Sequence, residues 1–364
     1  MKINTSSKYN SENFLKNKVF FDRSENKISN YEMGYILDVF KKSAFLKFKF
    51  PFFLKIESSI EVMGRYGEYD VYSFEYNKKK YVIKIDEDAR EECLKKEKEF
   101  LNILNSKNLA PKPLVFEKGL NYSFLLTTFD MGFSLSKSDI KHNLVSISKH
   151  LSYMHEFQFD KEKDQTKDFL NYFLNLSNYE ELLPEEEYEY ISKDASFISH
   201  KPILEKIKTN LNVFLESYEP QKVSVCHTNI KQSNILFNNN MLRFLNFKHA
   251  YFTNPIFDIF FTTFQLKFGY QEKETFFKSY YDSLTIEKKS YEDFKKDLKE
   301  MEKTVFFLFL LKILTARIYE EALYQYTRPS KYILLIDFYE SVRDLVEDYI
   351  SEYINELDNI FYTY

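Results

Sequence analysis

The stretch His227–Phe247, HTNIKQSNILFNNNMLRFLNF, decides how the rest of the chain is interpreted. Short apolar runs of strand character alternate in it with polar side chains, which is typical of a loop that holds chemical groups on a rigid frame. The polar positions include one histidine, one lysine and several asparagines, but no carboxylate. This alternation of strand-like runs and polar side chains is therefore evidence about the fold of the chain, and it does not by itself establish a chemical reaction.

The composition of the chain favours a folded protein with two unequal parts. Apolar residues make up 44% of the 364 residues, which is enough for a core, and this length is typical of two lobes around a cleft. Acidic and basic residues are mixed along the chain, with a net charge of −4. Because nucleic acid favours a basic stripe, this mixture argues against a nucleic-acid partner.

Cysteine content and apolar runs bear on location. Cys93 and Cys226 are too few for a disulfide framework or a zinc site, so we expect a reducing cytoplasm. Cys226 stands next to His227, as in a thiol nucleophile pair, but neighbouring residues of a strand point to opposite faces. The longest apolar run, Val305–Leu311, is broken by Lys312, and the N-terminal residues lack the apolar core expected of a signal peptide. We predict a buried helix there and no membrane span.

The first third of the chain has mainly strand patterns. YEMGYILDVFKK, over 31–42, predicts an amphipathic helix, and FLKFKFPFFLKI, over 45–56, predicts a strand interrupted at Pro51. DVYSFEY and KKYVIKID flank the turn 77–79 and predict a hairpin. A helix follows over 89–106, and LAPKPLVFEKG and YSFLLTTFDMG predict two more strands. The apolar positions of this helix are Leu94, Leu101 and Leu104.

Helical patterns dominate after residue 132. A helix is predicted over 140–157, with apolar positions at Leu144, Ile147, Leu151 and Met154. The charged stretch 178–194 predicts a solvated helical insertion. Helices are expected from about residue 256 onward, the last of them over 345–361.

These patterns predict an α+β fold with two unequal lobes. An N-terminal extension covers residues 1–54, a small β-rich N-lobe covers 55–130, and a larger, mainly helical C-lobe covers 131–364 with a helical insertion at about 156–222. A ligand would be expected in the cleft between such lobes.

Several motifs in order resemble those of the aminoglycoside phosphotransferase and choline kinase family, which has the protein-kinase-like fold. YVIK resembles the strand that carries a phosphate-binding lysine, and EKEFL resembles the helix whose glutamate pairs with it. ISKHLSYMHEF is similar to the LHxL-type helix, and HTNIKQSNIL to the catalytic loop HxDxxxxNxL. RFLNFKHA is similar to a strand ending in Asp-Trp, and NPIFDIF to the Gly-Asp-Pro-x-x-Asp-Leu segment. The resemblance covers about Ile60 to Tyr280 and implies a bilobal fold.

In the N-lobe, the resemblance implies a nucleotide site. Lys84 would neutralise phosphate oxygens and Glu97 would hold its ammonium group, although a surface ion pair is the alternative. Backbone groups at Thr128, Phe129 and Met131 would bond the edge of an adenine ring. The stretch 64–72 occupies the place of the phosphate-covering hairpin, but it lacks the full GxGxxG pattern. Tyr66 and Tyr69 stand there where close backbone approach is usual, so an ordinary hairpin is equally compatible.

In the C-lobe, the resemblance implies that His227 braces the catalytic loop and that Lys231 contacts the transferred phosphate. Asn234 would be a magnesium ligand. Asp258 would stabilise the loop, or else act as a helix N-cap.

Three departures from the family pattern argue against the usual reaction. Asn229 replaces the aspartate that takes the acceptor proton, and an amide has no useful basicity near neutral pH. Asn246 replaces the aspartate that binds magnesium, a cation that prefers anionic oxygen. Asn254 replaces the aspartate of the Gly-Asp-Pro segment. We therefore expect a pseudokinase with weak or no magnesium binding, acting as a nucleotide-sensing or partner-binding module.

Other functions stay open at this point. Lys84, Lys231 and Lys248 would hold a nucleotide's phosphates without a metal if lysine charge replaced the cation. An active ATP-dependent phosphotransferase would need relocated acids, for which the candidates are Asp130, Asp139 and Asp258. A nucleotidyl transferase is a third class, without specific support. The insertion and the C-terminal helices would contact either a small hydroxylated acceptor or a protein partner.

Overall fold

The computed structural model describes residues 28–66, 69–86, 91–130, 132–178, 195–238, 241–286, 289–323 and 336–362. Within these ranges the chain divides into two units. The first contains the described residues up to 130 together with Asn246–Lys248, and the second contains the remaining described residues. A short segment from late in the chain thus belongs to the first unit.

A five-stranded antiparallel sheet, in the order β1-β2-β3-β5-β4, forms the first unit. The strands are β1 Glu61–Tyr66, β2 Tyr69–Tyr76, β3 Lys79–Asp86, β4 Pro113–Lys118 and β5 Ser123–Thr128. β2 and β3 form the predicted hairpin, and Asn77 and Lys78 at its turn have φ values of 51° and 62°. Positive φ at both central residues matches the twist of the paired strands. The hairpin prediction is confirmed.

Two helices and a 3₁₀ segment precede the sheet: α1 Asn30–Lys42, α2 Ala44–Lys49 and Phe53–Ser59. α1 confirms the predicted amphipathic helix. The predicted strand over 45–56 is wrong, because Ser43 accepts a hydrogen bond from the Leu46 amide and begins α2. Leu46 and Phe50 are buried, whereas Phe48 between them is 86% exposed. A four-residue spacing suits one face of a helix, while a strand would place all three residues on one face.

The two faces of this sheet have different neighbours. Ile83 and Ile85 of β3 belong to a core cluster that also contains Phe40, Phe50 and Phe74. Because side chains alternate along a strand, Lys84 lies on the opposite face. The predicted helix over 89–106 is confirmed as α3 Glu91–Asn105, which packs against β4 and β5. Its three predicted apolar positions are buried: Leu94, Leu101 and Leu104.

Helices dominate the second unit, with two small three-stranded sheets in the orders β10-β9-β6 and β11-β8-β7. Its strands are β6 Phe133–Ser134, β7 Gln158–Phe159, β8 Val223–Cys226, β9 Ile235–Asn238, β10 Met241–Phe244 and β11 Tyr251–Thr253. Its helices include α4 Lys137–His142, α5 Leu144–His155, α6 Thr166–Leu176, α7 Ala195–Ser217, α8 Pro255–Gln265, α9 Tyr270–Ser283, α10 Tyr291–Leu323, α11 Arg343–Ile350 and α12 Ile354–Tyr362. The α+β class is as predicted.

The helix predictions in this unit have mixed outcomes. α5 confirms the helix predicted over 140–157, and α10 confirms that Val305–Leu311 lies in a buried helix. The single helix predicted over 345–361 is wrong, because α11 and α12 are separated by a 3₁₀ turn at Ser351–Tyr353. The backbone departs from the α conformation at Ile350, with φ −147° and ψ 45°. The apolar spacing continues across this break, so periodicity does not reveal it.

No helix within the described ranges is both long and apolar enough to cross a membrane. Residues 179–194, which include nearly all of the predicted charged insertion, lie outside the described residues, as does Met131.

Candidate functional site

Lys84 and Glu97 form a buried ion pair in the first unit. The Lys84 Nζ atom lies 2.6 Å from Glu97 Oε1, which joins the central strand β3 to helix α3. The pair is not a surface contact, since Glu97 is 1% exposed and Lys84 is 9% exposed. Burial lowers the pKa of Lys84, and the charge of Lys248 lowers it further, while Glu97 opposes both effects. The pairing is as predicted, and its role towards a nucleotide stays a prediction.

Glu97 also binds the segment that returns to the first unit. Its Oε1 atom accepts a second hydrogen bond, of 3.1 Å, from the Phe247 backbone amide. Its Oε2 atom is buried and has no hydrogen-bond partner among the described residues. Glu97 therefore positions both the lysine and the backbone next to Asn246.

Tyr69 fills the space beside this ion pair. Its hydroxyl donates a 2.6 Å hydrogen bond to Asn246 Oδ1. The Nζ atoms of Lys84 and Lys248 lie 5.2 and 5.1 Å from the centroid of its ring, within cation–π range. The side chain is 4% exposed, so the ring is part of the packed interior of the first unit. From the sequence, Tyr69 is notable only for its bulk, and this contact with Asn246 is not predicted.

The predicted adenine-binding backbone is partly engaged within the first unit. The amide of Thr128 donates to the carbonyl of Lys112 at 2.9 Å, and the amide of Phe129 donates to the carbonyl of Lys80 at 3.3 Å. These two N–H groups are therefore not available to a ligand in this arrangement. Met131, the third predicted residue, lies outside the described residues.

His227 makes two hydrogen bonds that hold the loop after β8 in the second unit. Its Nδ1 atom accepts from the Asn229 amide at 3.2 Å, so the proton is on Nε2, which donates to the Leu245 carbonyl at 2.8 Å. The next residue, Thr228, has φ of 56°, which is uncommon for a β-branched residue. Such strain persists only where the surroundings enforce it, and here the Thr228 hydroxyl donates to the His249 carbonyl at 2.5 Å.

Asp258 holds the same loop from helix α8. Its two carboxylate oxygens accept the backbone amides of His227 and Thr228 at 2.6 and 2.7 Å. Of its two predicted roles, the N-cap role is wrong, because Asn254 caps α8 by accepting from the Ile256 amide at 2.9 Å. Asp258 is a loop anchor, so it is not available as a relocated catalytic acid.

Asp258 further belongs to a buried polar cluster. The ligand atoms of His155, Cys226 and Asp258 lie within 4.8 Å of one another, as metal ligands would. Each already has a protein partner, however: His155 contacts Asp258 and the Tyr280 hydroxyl, and the Cys226 thiol donates to a backbone carbonyl. Burial, with a smaller contribution from Asp258, raises the pKa of Cys226 well above its usual value. The cluster therefore acts structurally, and Cys226 is not a nucleophile.

The remaining loop residues surround Asn229. Asn234 donates from its side-chain nitrogen to the Asn229 carbonyl at 2.8 Å, and it is 3% exposed. Asn229 Oδ1 accepts from Gln265 Nε2 at 3.3 Å. The Lys231 carbonyl accepts the Asn234 amide at 2.8 Å. Asp139, another candidate acid, is used in the capping of α4, where it accepts from Ser136.

The sequence profile described as Choline/ethanolamine kinase matches residues 66–356. This chain belongs to the choline/ethanolamine kinase family. A comparison with curated protein sequences gives no match.

Solved structures agree with the kinase family at the level of the fold. Choline kinase LicA from Streptococcus pneumoniae is 16% identical, with a TM-score of 0.53 over 82% of this chain and 98% of that one. A thermostable mutant of the aminoglycoside phosphotransferase APH(4)-Ia is 13% identical, with a TM-score of 0.56 over 82% of this chain and 98% of that one. Amicoumacin kinase hAmiN, in complex with AMP-PNP, Ca²⁺ and Ami, is 14% identical, with a TM-score of 0.54 over 79% and 89%. The bilobal protein-kinase-like fold and the predicted family are confirmed.

Proposed function

We propose that this choline/ethanolamine kinase family member is a pseudokinase whose nucleotide-phosphate site is closed by its own Tyr69. The observation that carries the proposal is the part-buried hydrogen bond from the Tyr69 hydroxyl to Asn246 Oδ1, with the ammonium groups of Lys84 and Lys248 within cation–π range of the ring. In the family pattern, Asn246 stands where a magnesium-binding aspartate would be. Here the amide oxygen of Asn246 already accepts a hydrogen bond from the Tyr69 hydroxyl.

The donor set does not fit magnesium. Magnesium requires near-octahedral oxygen ligands and prefers carboxylates, whereas the motif positions Asn234 and Asn246 offer only neutral amides. Asn234 also uses its side-chain nitrogen to brace the loop, which fixes its orientation. We therefore assign no step of a reaction to a metal ion.

Loss of the proton acceptor supports the same proposal. Asn229 has no useful basicity, and removal of a general base lowers rates by roughly 10²–10⁴. Asp139 and Asp258, two of the acids that would have to replace it, are used as a helix cap and a loop anchor. Phosphoryl transfer depends almost entirely on positioning and charge stabilisation, and both are weakened here.

A nucleotide would still find favourable charge in the first unit. Lys84 and Lys248 are two cations close to one aromatic ring, and displacement of Tyr69 would expose both to phosphate oxygens. Amicoumacin kinase, with the same fold, is solved with AMP-PNP. We propose that ATP or another nucleotide binds here weakly and without metal, with the lysines supplying the positive charge.

The test is thermal unfolding of the protein with ATP, in EDTA and in excess magnesium, for the wild type and Lys84→Met. We expect a small stabilisation by ATP that is as large in EDTA as in magnesium and is absent in the variant. No stabilisation in either condition would remove nucleotide binding from the proposal. ATP turnover with a hydroxylated acceptor that falls in Asn229→Ala would contradict the pseudokinase assignment and favour an active phosphotransferase.

A further inference from the structure

Gln265, the last residue of α8, has a side-chain oxygen, Oε1, without a hydrogen-bond partner among the described residues, and it lies beside the catalytic loop. It is 6% exposed, and its Nε2 atom donates to Asn229 Oδ1 at 3.3 Å. Its Oε1 atom is buried and has no partner among the described residues. If both amides were turned over, Gln265 Nε2 would be the unmatched atom instead. Buried polar groups without a partner are uncommon and call for an explanation, which a ligand that donates to this atom would provide.

Lys312 brings a positive charge to the neighbouring surface of α8. Its Nζ atom lies 5.5 Å from the ring centroid of Phe261, which precedes Gln265 by one helical turn and therefore lies on the same face. Helices α8 and α10 pack against each other, and the residues on either side of Lys312, Leu311 and Ile313, are buried. Within the described part of the chain, no carboxylate contributes to the pKa shift of Lys312.

The electrostatic surroundings of Lys312 are positive. Burial lowers its pKa to about 7, and the charge of Lys231 on the catalytic loop lowers it further. Phe261, the α8 side chain in contact with Lys312, carries no charge, and Lys231 is the one charged group among the described residues that shifts the pKa of Lys312. An anion placed next to both lysines would relieve their repulsion and stabilise the protonated Lys312.

Three observations connect four residues beside the loop: Gln265 is hydrogen-bonded to Asn229, Lys312 contacts Phe261 one helical turn before Gln265, and the charge of Lys231 acts on Lys312. We call these four residues the amide–lysine cluster: Asn229, Lys231, Gln265 and Lys312. We propose that this cluster is a binding site for a small hydroxylated anion, such as a phosphate or carboxylate that carries a hydroxyl group. The anionic end would lie at the two lysines, and the hydroxyl would donate to Gln265 Oε1, beside Asn229. The placement of this ligand in the acceptor region rests on the proposed function, but its binding does not require a nucleotide.

The charge of the cluster separates this ligand from the acceptor named for the solved choline kinase. Choline is a permanent cation, and two neighbouring lysines repel it, so the cluster is suited to exclude that class of molecule. Specificity in this site would come from charge repulsion as much as from attraction.

The experiment is calorimetric titration of the whole protein, without nucleotide, at pH 6.5. Glycerol 3-phosphate is the hydroxylated anion, inorganic phosphate is the anion without a carbon-bound hydroxyl, and glycerol and choline are the neutral and cationic comparisons. We expect glycerol 3-phosphate to bind more tightly than phosphate, and choline not to bind. Lys312→Met is expected to weaken glycerol 3-phosphate about ten-fold. Lys303→Met, at an exposed position of the same helix with its own phenylalanine contact, is the matched control and should change nothing.

Two further measurements keep the proposal testable if Lys312→Met alters folding. Gln265→Leu should bring the affinity for glycerol 3-phosphate down to that for phosphate, while phosphate itself binds unchanged. In the wild type, binding should take up a proton, so that the affinity falls as the pH rises above about 7. Choline binding, or glycerol 3-phosphate binding that is insensitive to both substitutions and to pH, would overturn the inference. Anion binding without any nucleotide binding would leave it intact and refute only the proposed nucleotide site.

Discussion

Replacement of Tyr69 by phenylalanine should increase the affinity for nucleotide. If phosphates reach Lys84 and Lys248 only when the Tyr69 ring moves away, binding is weakened by the free energy that holds the ring in place. The 2.6 Å hydrogen bond to Asn246 is part of that free energy. Tyr69→Phe removes the hydrogen bond and keeps the ring, so the difference between the two proteins isolates the hydroxyl.

The expected size of this effect follows from the value of one hydrogen bond. A buried hydrogen bond contributes about 0.5–1.5 kcal/mol net, and the Asn246 amide is half-buried and can turn to water when the hydroxyl is absent. At roughly 1.4 kcal/mol for each factor of ten, the affinity should rise about two- to twelve-fold. The two cation–π contacts remain in the phenylalanine variant, so part of the closure persists.

Titration of a fluorescent ATP analogue in EDTA measures this change directly. Tyr72→Phe is the matched control, because Tyr72 is also a buried tyrosine of β2 and its hydroxyl donates to Asp70 at 3.1 Å. The control should bind like the wild type. An unchanged affinity in Tyr69→Phe would refute the closure. A lower affinity would also refute it, and would indicate that the hydroxyl contacts the nucleotide itself.

Three further predictions concern stability, each measured by urea unfolding. Lys312→Met should stabilise the protein by up to about 5 kcal/mol, the equivalent of a pKa lowered from 10.5 to about 7, and by less where water reaches the amine. Between pH 7 and 10.5 the unfolded chain binds the Lys312 proton and the folded chain does not, so the free energy of unfolding of the wild type rises with pH across that window. The stability advantage of Lys312→Met over the wild type therefore shrinks. Equal stability advantages at pH 6.5 and pH 9.5 would contradict this. Glu97→Gln should lower the free energy of unfolding by about 3–5 kcal/mol, because Lys84 is left buried without its counter-charge. Adding Lys84→Met to that variant should recover part of the lost stability. Losses that simply add would argue against the ion pair. Asp258→Asn should cost about 2–4 kcal/mol, because it weakens two charge-assisted hydrogen bonds to loop amides. Asp139→Asn, at a partly exposed helix cap, is the comparison and should cost much less. A cost for Asp258→Asn as small as that for Asp139→Asn would contradict the anchor role.

The sequence predicts those parts of the fold that depend on local periodicity and on motif order. The β2–β3 hairpin, α3, α5 and the buried run in α10 were each predictable, because alternation, helical spacing and turn residues agree within one segment. The segment 45–56 was not, because FLKFKF satisfies both alternation and a four-residue spacing, and only the burial of Leu46 and Phe50 against the sheet decides between them.

Residues of the candidate site could be predicted where a sequence motif defines their position. Contacts that arise only from the packing of distant segments could not be predicted. Lys84 with Glu97, and His227 as a brace, follow from the order of motifs. The contact between Tyr69 and Asn246 joins residues 177 positions apart, and no local pattern indicates it. The sequence does draw attention to Lys312, because it is a single lysine that interrupts an apolar run. Such a lysine is compatible with either a buried charge or the edge of a helix face, so the sequence does not decide between them.

The return of Asn246–Lys248 to the first unit has a consequence for folding during synthesis. Glu97 lies in the first third of the sequence, yet one of its hydrogen bonds comes from the Phe247 amide, 150 residues later in the chain. A nascent chain in which only the five-stranded sheet has left the ribosome therefore carries the Glu97 carboxylate without the donor that Phe247 supplies. The first unit reaches its final form only after Phe247 has left the ribosome, so a fragment that ends at residue 130 should be less stable than the same residues in the whole protein.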